Sequence, residues 1–400
     1  MVWQGDFMHR NADVLVIGGA VTGASVAFWL TRMDPSCRVV VVEPDPSYAR
    51  AATALSVASI RSQFSNPVNV QMSRFGIDFI RDFADCVGQA GAVPDLGLVE
   101  NGYLFLAGTE AGAATARDLA EMQRGLGAGT EVLQRAELEA RYPWMALDDV
   151  VAGSFGPRDE GWFDNMGLLN GFRNAARAAG AEFLTDRVTG LDHGQGRVRA
   201  ASLASGARIA AGEVVCCAGT RAPDILRMLG EDWPVEARKR SVFLIDAPNA
   251  RHPDAPLVID HRGVYLRPEQ DRWITATVPV EDGPCEIDDF EPDLHLFEDR
   301  IWPLLYARAP GFDAVKVIRA WAGHYDFNRL DQNAILGRHP GWANFLVASG
   351  FSGHGLQQAP AVGRGLAELI LTGGWQSLDL SPLGVERVLE GRPVPERGIV

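Results

Sequence analysis

The run Gly18-Gly19-Ala20-Val21-Thr22-Gly23 is the first stretch of this 400-residue chain whose residue types and spacing suggest chemistry. Glycine supplies positive φ and lets backbone approach a pyrophosphate, which then rests on the N-terminus of the following helix. Residues 13–17 before the run read as a buried parallel strand, and residues 24–32 after it as a helix. A second strand over 38–42 ends at Glu43, 25 residues beyond Gly18, where a carboxylate can bind the ribose hydroxyls of FAD or NAD. The middle glycine of the usual pattern is Ala20, which puts a methyl group where backbone should meet phosphate.

Two histidines, His324 and His354, can be neutral near pH 7 and accept a proton from an amine. Lys239 and Lys316 are the two lysines among 37 basic residues, so lysine-dependent chemistry has two candidates. A GxSxG nucleophile motif and zinc-ligand spacing are both missing, and no metal is expected. The five cysteines have no regular spacing, and Cys216-Cys217 lacks the CxxC separation of a redox or metal site. They suit a reducing compartment, and a cytoplasmic location is expected.

These groups must be positioned by an α/β framework. The strand–glycine turn–helix–strand pattern opens the chain and returns in the middle, with a helix over 168–180 and strands over 182–185 and 213–217. It closes the chain with a strand over 344–348, a glycine loop and a helix over 361–371. Between 241 and 278, β-branched and aromatic residues alternate with polar ones, which predicts an antiparallel sheet. At about 150 residues per domain the length allows two to three domains. The net charge of −14 argues against nucleic acid as a partner, and no apolar run is long enough to span a membrane. Nothing in the sequence indicates an oligomeric state.

Three stretches carry a family resemblance: residues 54–64 (ALSVASIRSQF), Asp159-Glu160-Gly161-Trp162 and residues 350–360 (GFSGHGLQQAP). With them the chain resembles the D-amino acid oxidase/sarcosine oxidase superfamily of FAD-dependent oxidoreductases. Residues 321–328 (WAGHYDFN), followed by Leu330-Asp331-Gln332-Asn333, resemble one branch of it. The resemblance implies an α/β fold. A Rossmann-type FAD-binding domain (1–85, 155–225 and 320–400) would carry an inserted α+β substrate domain (86–154 and 226–319) built on a large mixed or antiparallel sheet. It also implies that Gly18, Gly19, Ala20, Val21, Thr22, Gly23 and Glu43 hold the ADP half of FAD. Val188 would lie beside the adenine and Ala218-Gly219 near the pyrophosphate. The small-residue loop ending in Ser59, Ile60 and Arg61, together with Gly323, would border the flavin. Gly350, Ser352, Gly353, His354, Gly355, Leu356 and Gln357 would complete its surround, with backbone N–H groups aimed at the N1/O2 edge, where donors favour reduced flavin.

Departures from the family pattern narrow the expectations. The tethering cysteine of sarcosine oxidases falls near His324, so FAD is expected to be non-covalent. Gln357 and Tyr325 stand where a lysine and an arginine clamp the substrate carboxylate in relatives, which leaves Arg61, or Arg267 beside Tyr265, for that task. Trp273 falls near the lysine that promotes oxygen reduction, with Arg272 one position away, so slow reaction with oxygen is expected. The activity implied is oxidation of the C–N bond of a small secondary or N-substituted amino acid, of sarcosine or iminodiacetate type, with oxygen or another redox acceptor. The alternatives are a D-amino acid or 2-hydroxy acid dehydrogenase, and a flavoprotein scaffold with incidental redox activity. His324 is the expected proton acceptor.

Overall fold

The computed structural model describes residues 9–88 and 95–397. The parts of the expected domain ranges at 1–8, 89–94 and 398–400 lie outside them. Two eight-stranded sheets organise the chain. In the first, the order is Ile335–Arg338, Phe345–Ser349, Arg208–Cys216, His9–Ile17, Val39–Glu43 and Glu182–Thr185, with Arg197–Leu203 also paired to Arg208–Cys216 and Val188–Gly194 paired in turn to Arg197–Leu203. His9–Ile17 pairs parallel with both Arg208–Cys216 and Val39–Glu43, and Val14, Leu15, Val16 and Ile17 are all buried. Continuous apolar runs are what a sheet covered on both faces requires.

The helix Val21–Met33 begins directly at the glycine run. A Cβ on Gly23 would collide with the carbonyl oxygen of Gly18, so the third glycine is needed for close helix–strand packing. Ala20 is extended (φ −67°, ψ −170°) and needs no glycine, while the positive φ falls on Gly18 at +96°. The helix Gly355–Thr372 crosses this first helix, and Ser25 donates its hydroxyl to Ala359 O at 2.8 Å. It starts six residues before the expected position 361 and carries Pro360 in its interior. No helix among the described residues is long and apolar enough to cross a membrane.

The second sheet runs Lys316–Asn328, Val235–Asp246, Arg272–Thr277, Val264–Glu269, Leu257–Ile259, Tyr103–Ala107, Ala152–Gly156 and Glu131–Gln134. All its pairings are antiparallel except Leu257–Ile259 with Tyr103–Ala107. The boundaries placed at 154/155 and 319/320 therefore fall inside strands of this sheet. Side chains alternate between its faces. One face carries Phe243, Ile245, Leu266 and Trp273, which share a core with Phe312 of the turn Pro310–Asp313 and with the helix Trp302–Arg308. The other carries Val242, Ile259 and Tyr265, which look toward the first sheet. The segment 278–293 forms neither strand nor helix.

Candidate functional site

A cavity of about 880 Å³ runs from the glycine turn to the second sheet. At one end Gly18, Ala20, Val21 and Thr22 line it at the N-terminus of Val21–Met33, where the N-cap residue Ala20 offers no side-chain acceptor and Thr53 Oγ1 takes the Val21 N–H at 3.3 Å. Backbone donors at the positive end of a helix form an anion site. Glu43 accepts the Gly19 N–H at 2.8 Å and the Asp45 N–H at 2.9 Å, and burial raises its pKa. Val188, Ala218 and Gly219 line the same end. Gly19 and Gly23 stand behind it, one bonding Glu43 and the other making room for the helix.

The middle of the cavity is bounded by the turn Gly350–Gly355. Gly350, Ser352 and Gly353 all have positive φ (72°, 52° and 95°). Asp326 holds this turn: its carboxylate accepts the N–H groups of Gly350 (2.8 Å) and Phe351 (3.2 Å), and burial pushes its pKa up to about 6. The sequence reading missed Asp326, which lies inside the WAGHYDFN stretch. Ser352, Gly353, His354, Gly355, Leu356 and Gln357 line the cavity, as do Ser59, Arg61 and Gly323. Gly350 does not, and Ile60 is fully buried in the core against the helix Pro67–Arg81.

Arg61 and His354 act on each other. The Arg61 guanidinium lies 3.2 Å from His354 Nε2, bonds the Gln63 carbonyl and stacks on Phe64 at 4.1 Å from the ring centroid. A guanidinium only donates, so His354 Nε2 is the acceptor. Burial, with the Arg61 charge, holds His354 down at about 3. Its ring is neutral and its lone pair is occupied, so it fixes the turn and is not a free base.

The far end is the inner face of the second sheet. Tyr103, Tyr265, Tyr325 and Arg240 line it with Val242 and Ile259. Burial raises the pKa of all three phenols, Tyr265 furthest, so each presents a neutral hydroxyl. Arg240 and Tyr103 were absent from the expected set. Strand alternation was the available signal: Arg240 pairs with Gly323, which places it on the face of Tyr325.

The same register separates His324 from these groups. His324 pairs with Lys239 and so points to the opposite face from Tyr325. Its Nε2 lies 2.6 Å from Asp289 O and therefore carries the proton, while Nδ1 is buried without a partner. Its ring stacks on Phe290 at 4.2 Å, and burial lowers its pKa. His324 lines the cavity through the segment 278–293, apart from the tyrosines.

Arg267 is not in the cavity wall. Its guanidinium bonds Val57 O (3.1 Å), Pro268 O (2.9 Å) and the Glu269 carboxylate (2.6 Å). Trp273 is also misplaced by the sequence reading: it shares the outer face with Ile245, donates to Ala250 O at 2.7 Å and packs on Phe312. Arg272 is exposed beside a separate small hollow. Lys239 pairs with Asp289 and Asp293, each at 2.8 Å, and Lys316 is exposed.

The profile of the family described as FAD dependent oxidoreductase matches residues 13–369. The chain belongs to this family. It is 37% identical to FAD-dependent oxidoreductase domain-containing protein 1 of Xenopus laevis, over 99% of this chain and 86% of that protein. Mitochondrial sarcosine dehydrogenase of Mus musculus is 26% identical over 92% of this chain and 40% of its own length. Among solved structures, L-proline dehydrogenase from P. horikoshii superposes with a TM-score of 0.86 at 25% identity, covering 96% of this chain and all of that one. FAD is the cofactor of this enzyme family, and the cavity suits it. The helix N-terminus beside the Gly18 turn fits a pyrophosphate, Glu43 a ribose, and the turn held by Asp326 offers backbone N–H groups to a flavin.

Proposed function

We propose that this member of the family oxidises the C–N bond of a small secondary or N-substituted amino acid. FAD, when bound, supplies a two-electron acceptor for hydride. The observation that carries the reading is the inner sheet face beside the glycine turn, where three neutral phenols and Arg240 surround a pocket walled by Val242 and Ile259. Neutral hydroxyls donate to a carboxylate without repelling it, and the apolar wall excludes water around a small substrate. Sarcosine and L-proline, named for two of the similar proteins, are both secondary amino acids. The phenols are too weakly acidic to serve as bases at neutral pH, and His324 is on the other face, so the substrate nitrogen must arrive unprotonated. The imine product then hydrolyses after release. An acceptor reoxidises the reduced protein, and a cytoplasmic setting suits the free thiols.

Anaerobic bleaching of the flavin absorbance tests this with N-methylglycine, iminodiacetate, L-proline, D-alanine and lactate. Rapid bleaching by one of the first three is expected. Bleaching by D-alanine or lactate alone assigns a D-amino acid or 2-hydroxy acid dehydrogenase, and no bleaching by any of them leaves a flavoprotein scaffold.

A further inference from the structure

We propose that Arg240 is the residue that binds the substrate carboxylate, and that Asp282 holds this guanidinium in readiness as a competing counter-charge. The inference rests on the amino acid reading above and replaces Arg61 and Arg267 in that role.

Among the described arginines of the cavity wall, Arg240 is placed and bonded for the task. It is 4% exposed, and its Cζ lies 4.9 Å from the centroid of Tyr325, whose phenol adjoins the glycine turn. Arg61 already serves Gln63 O and His354, and Arg267 is turned into the protein. Arg50 and Arg221 both reach Asp288, near the exposed surface.

Arg240 is incompletely satisfied. Its two terminal nitrogens meet Asp282 at 2.6 and 2.9 Å, and Nη1 also reaches Lys239 O, but the Nε–H is buried with no acceptor. Asp282 is shared, because Arg238 bonds the same carboxylate at 3.1 Å. Arg238 has Glu236 as a second acid at 2.8 Å, so it can keep a partner if Asp282 or Arg240 exchanges. Asp282 sits on the segment 278–293, which has no regular structure of its own and is secured by side-chain pairs to Arg238, Lys239, Arg240 and Arg221. A fork matched to carboxylate geometry, three phenol donors and a counter-ion held by side-chain pairs together form an anion subsite.

The test is titration of purified holoenzyme with pyrrole-2-carboxylate, read as perturbation of the flavin absorbance, with pyrrole as the control lacking an acid. Arg240→Gln should raise the Kd for pyrrole-2-carboxylate by about 30-fold or more, and Arg240→Lys should recover part of the loss. Asp282→Asn should lower the Kd several-fold, because the guanidinium loses its competitor while the shape of the side chain is kept. A simple latch predicts the opposite sign, since breaking it from either side would loosen the segment. Arg240→Gln binding within about twofold of wild type, or Asp282→Asn weakening the acid as Arg240→Gln does, overturns the inference. FAD retention and melting temperature of each variant separate misfolding from loss of the subsite, and Asp282→Asn decides the sign even where Arg240→Gln is unstable. Failure of the amino acid reading is seen in the wild type, which would then neither bind the acid nor be bleached by a secondary amino acid.

Discussion

Tyr325 packs against Gly353, so closely that a Cβ on the glycine would come within 2.6 Å of the ring. Gly353 has φ +95°, and Tyr325 in turn carries Arg240 over its ring. The cofactor turn and the substrate face are therefore one packed unit. Gly353→Ala combines backbone strain with a steric collision, each costing about 1–3 kcal/mol. The variant should retain less FAD after gel filtration and show a raised KM, while the far nucleotide end, held by Glu43, stays intact.

Glu160 gives a pH signature. It is fully buried, accepts Ser62 N–H at 2.8 Å and Gln63 Nε2 at 2.7 Å, and burial raises its pKa from 4.5 to about 7. A carboxyl whose folded pKa is raised contributes stability below its unfolded value and loses it as pH rises through the folded one. Wild-type stability should therefore fall between about pH 4.5 and pH 7.5, by on the order of 3 kcal/mol from this group. Melting temperatures of FAD-saturated protein across that range should show a shallower fall in Glu160→Gln.

Acid precipitation should release yellow FAD into the supernatant. Of the five cysteines, Cys217 lines the cavity, but it lies beside Gly18 at the nucleotide end, and burial holds its thiol well above the usual pKa. A yellow pellet would establish a covalent bond and make His324 the first residue to examine.

Reduced enzyme should react slowly with oxygen. No lysine among the described residues lines the cavity, and Lys239 is neutralised by Asp289 and Asp293. Without a free ammonium at the flavin, developing superoxide charge has less preorganised stabilisation. Stopped-flow reoxidation in aerated buffer should be slower than reoxidation by a quinone or a dye. A rate equal to that of efficient flavin oxidases would show that Arg240 or Arg61 supplies the charge.

Much of the cofactor half was legible in the chain itself. Gly18, Gly23 and Glu43 are set by local demands, namely a positive φ, a close helix–strand approach and a strand end, and short-range spacing records such demands. The turn Gly350–Gly355 was legible for the same reason. The substrate half was decided by strand pairing. Whether Arg240 joins Tyr325, whether His324 faces away, and whether Trp273 sits in the outer core all depend on a register between segments far apart in sequence. A shift of one residue would exchange every one of these side chains between cavity and core. Arg267 was read as a ligand because residue type alone shows the charge, while its partner Val57 O appears only when the loop and the strand meet, and Glu269 lies two residues along the same strand. Sequence thus determined the groups that depend on their own backbone. Tertiary structure determined those that depend on which face of a sheet they occupy, because a side chain's face is set by its neighbouring strands.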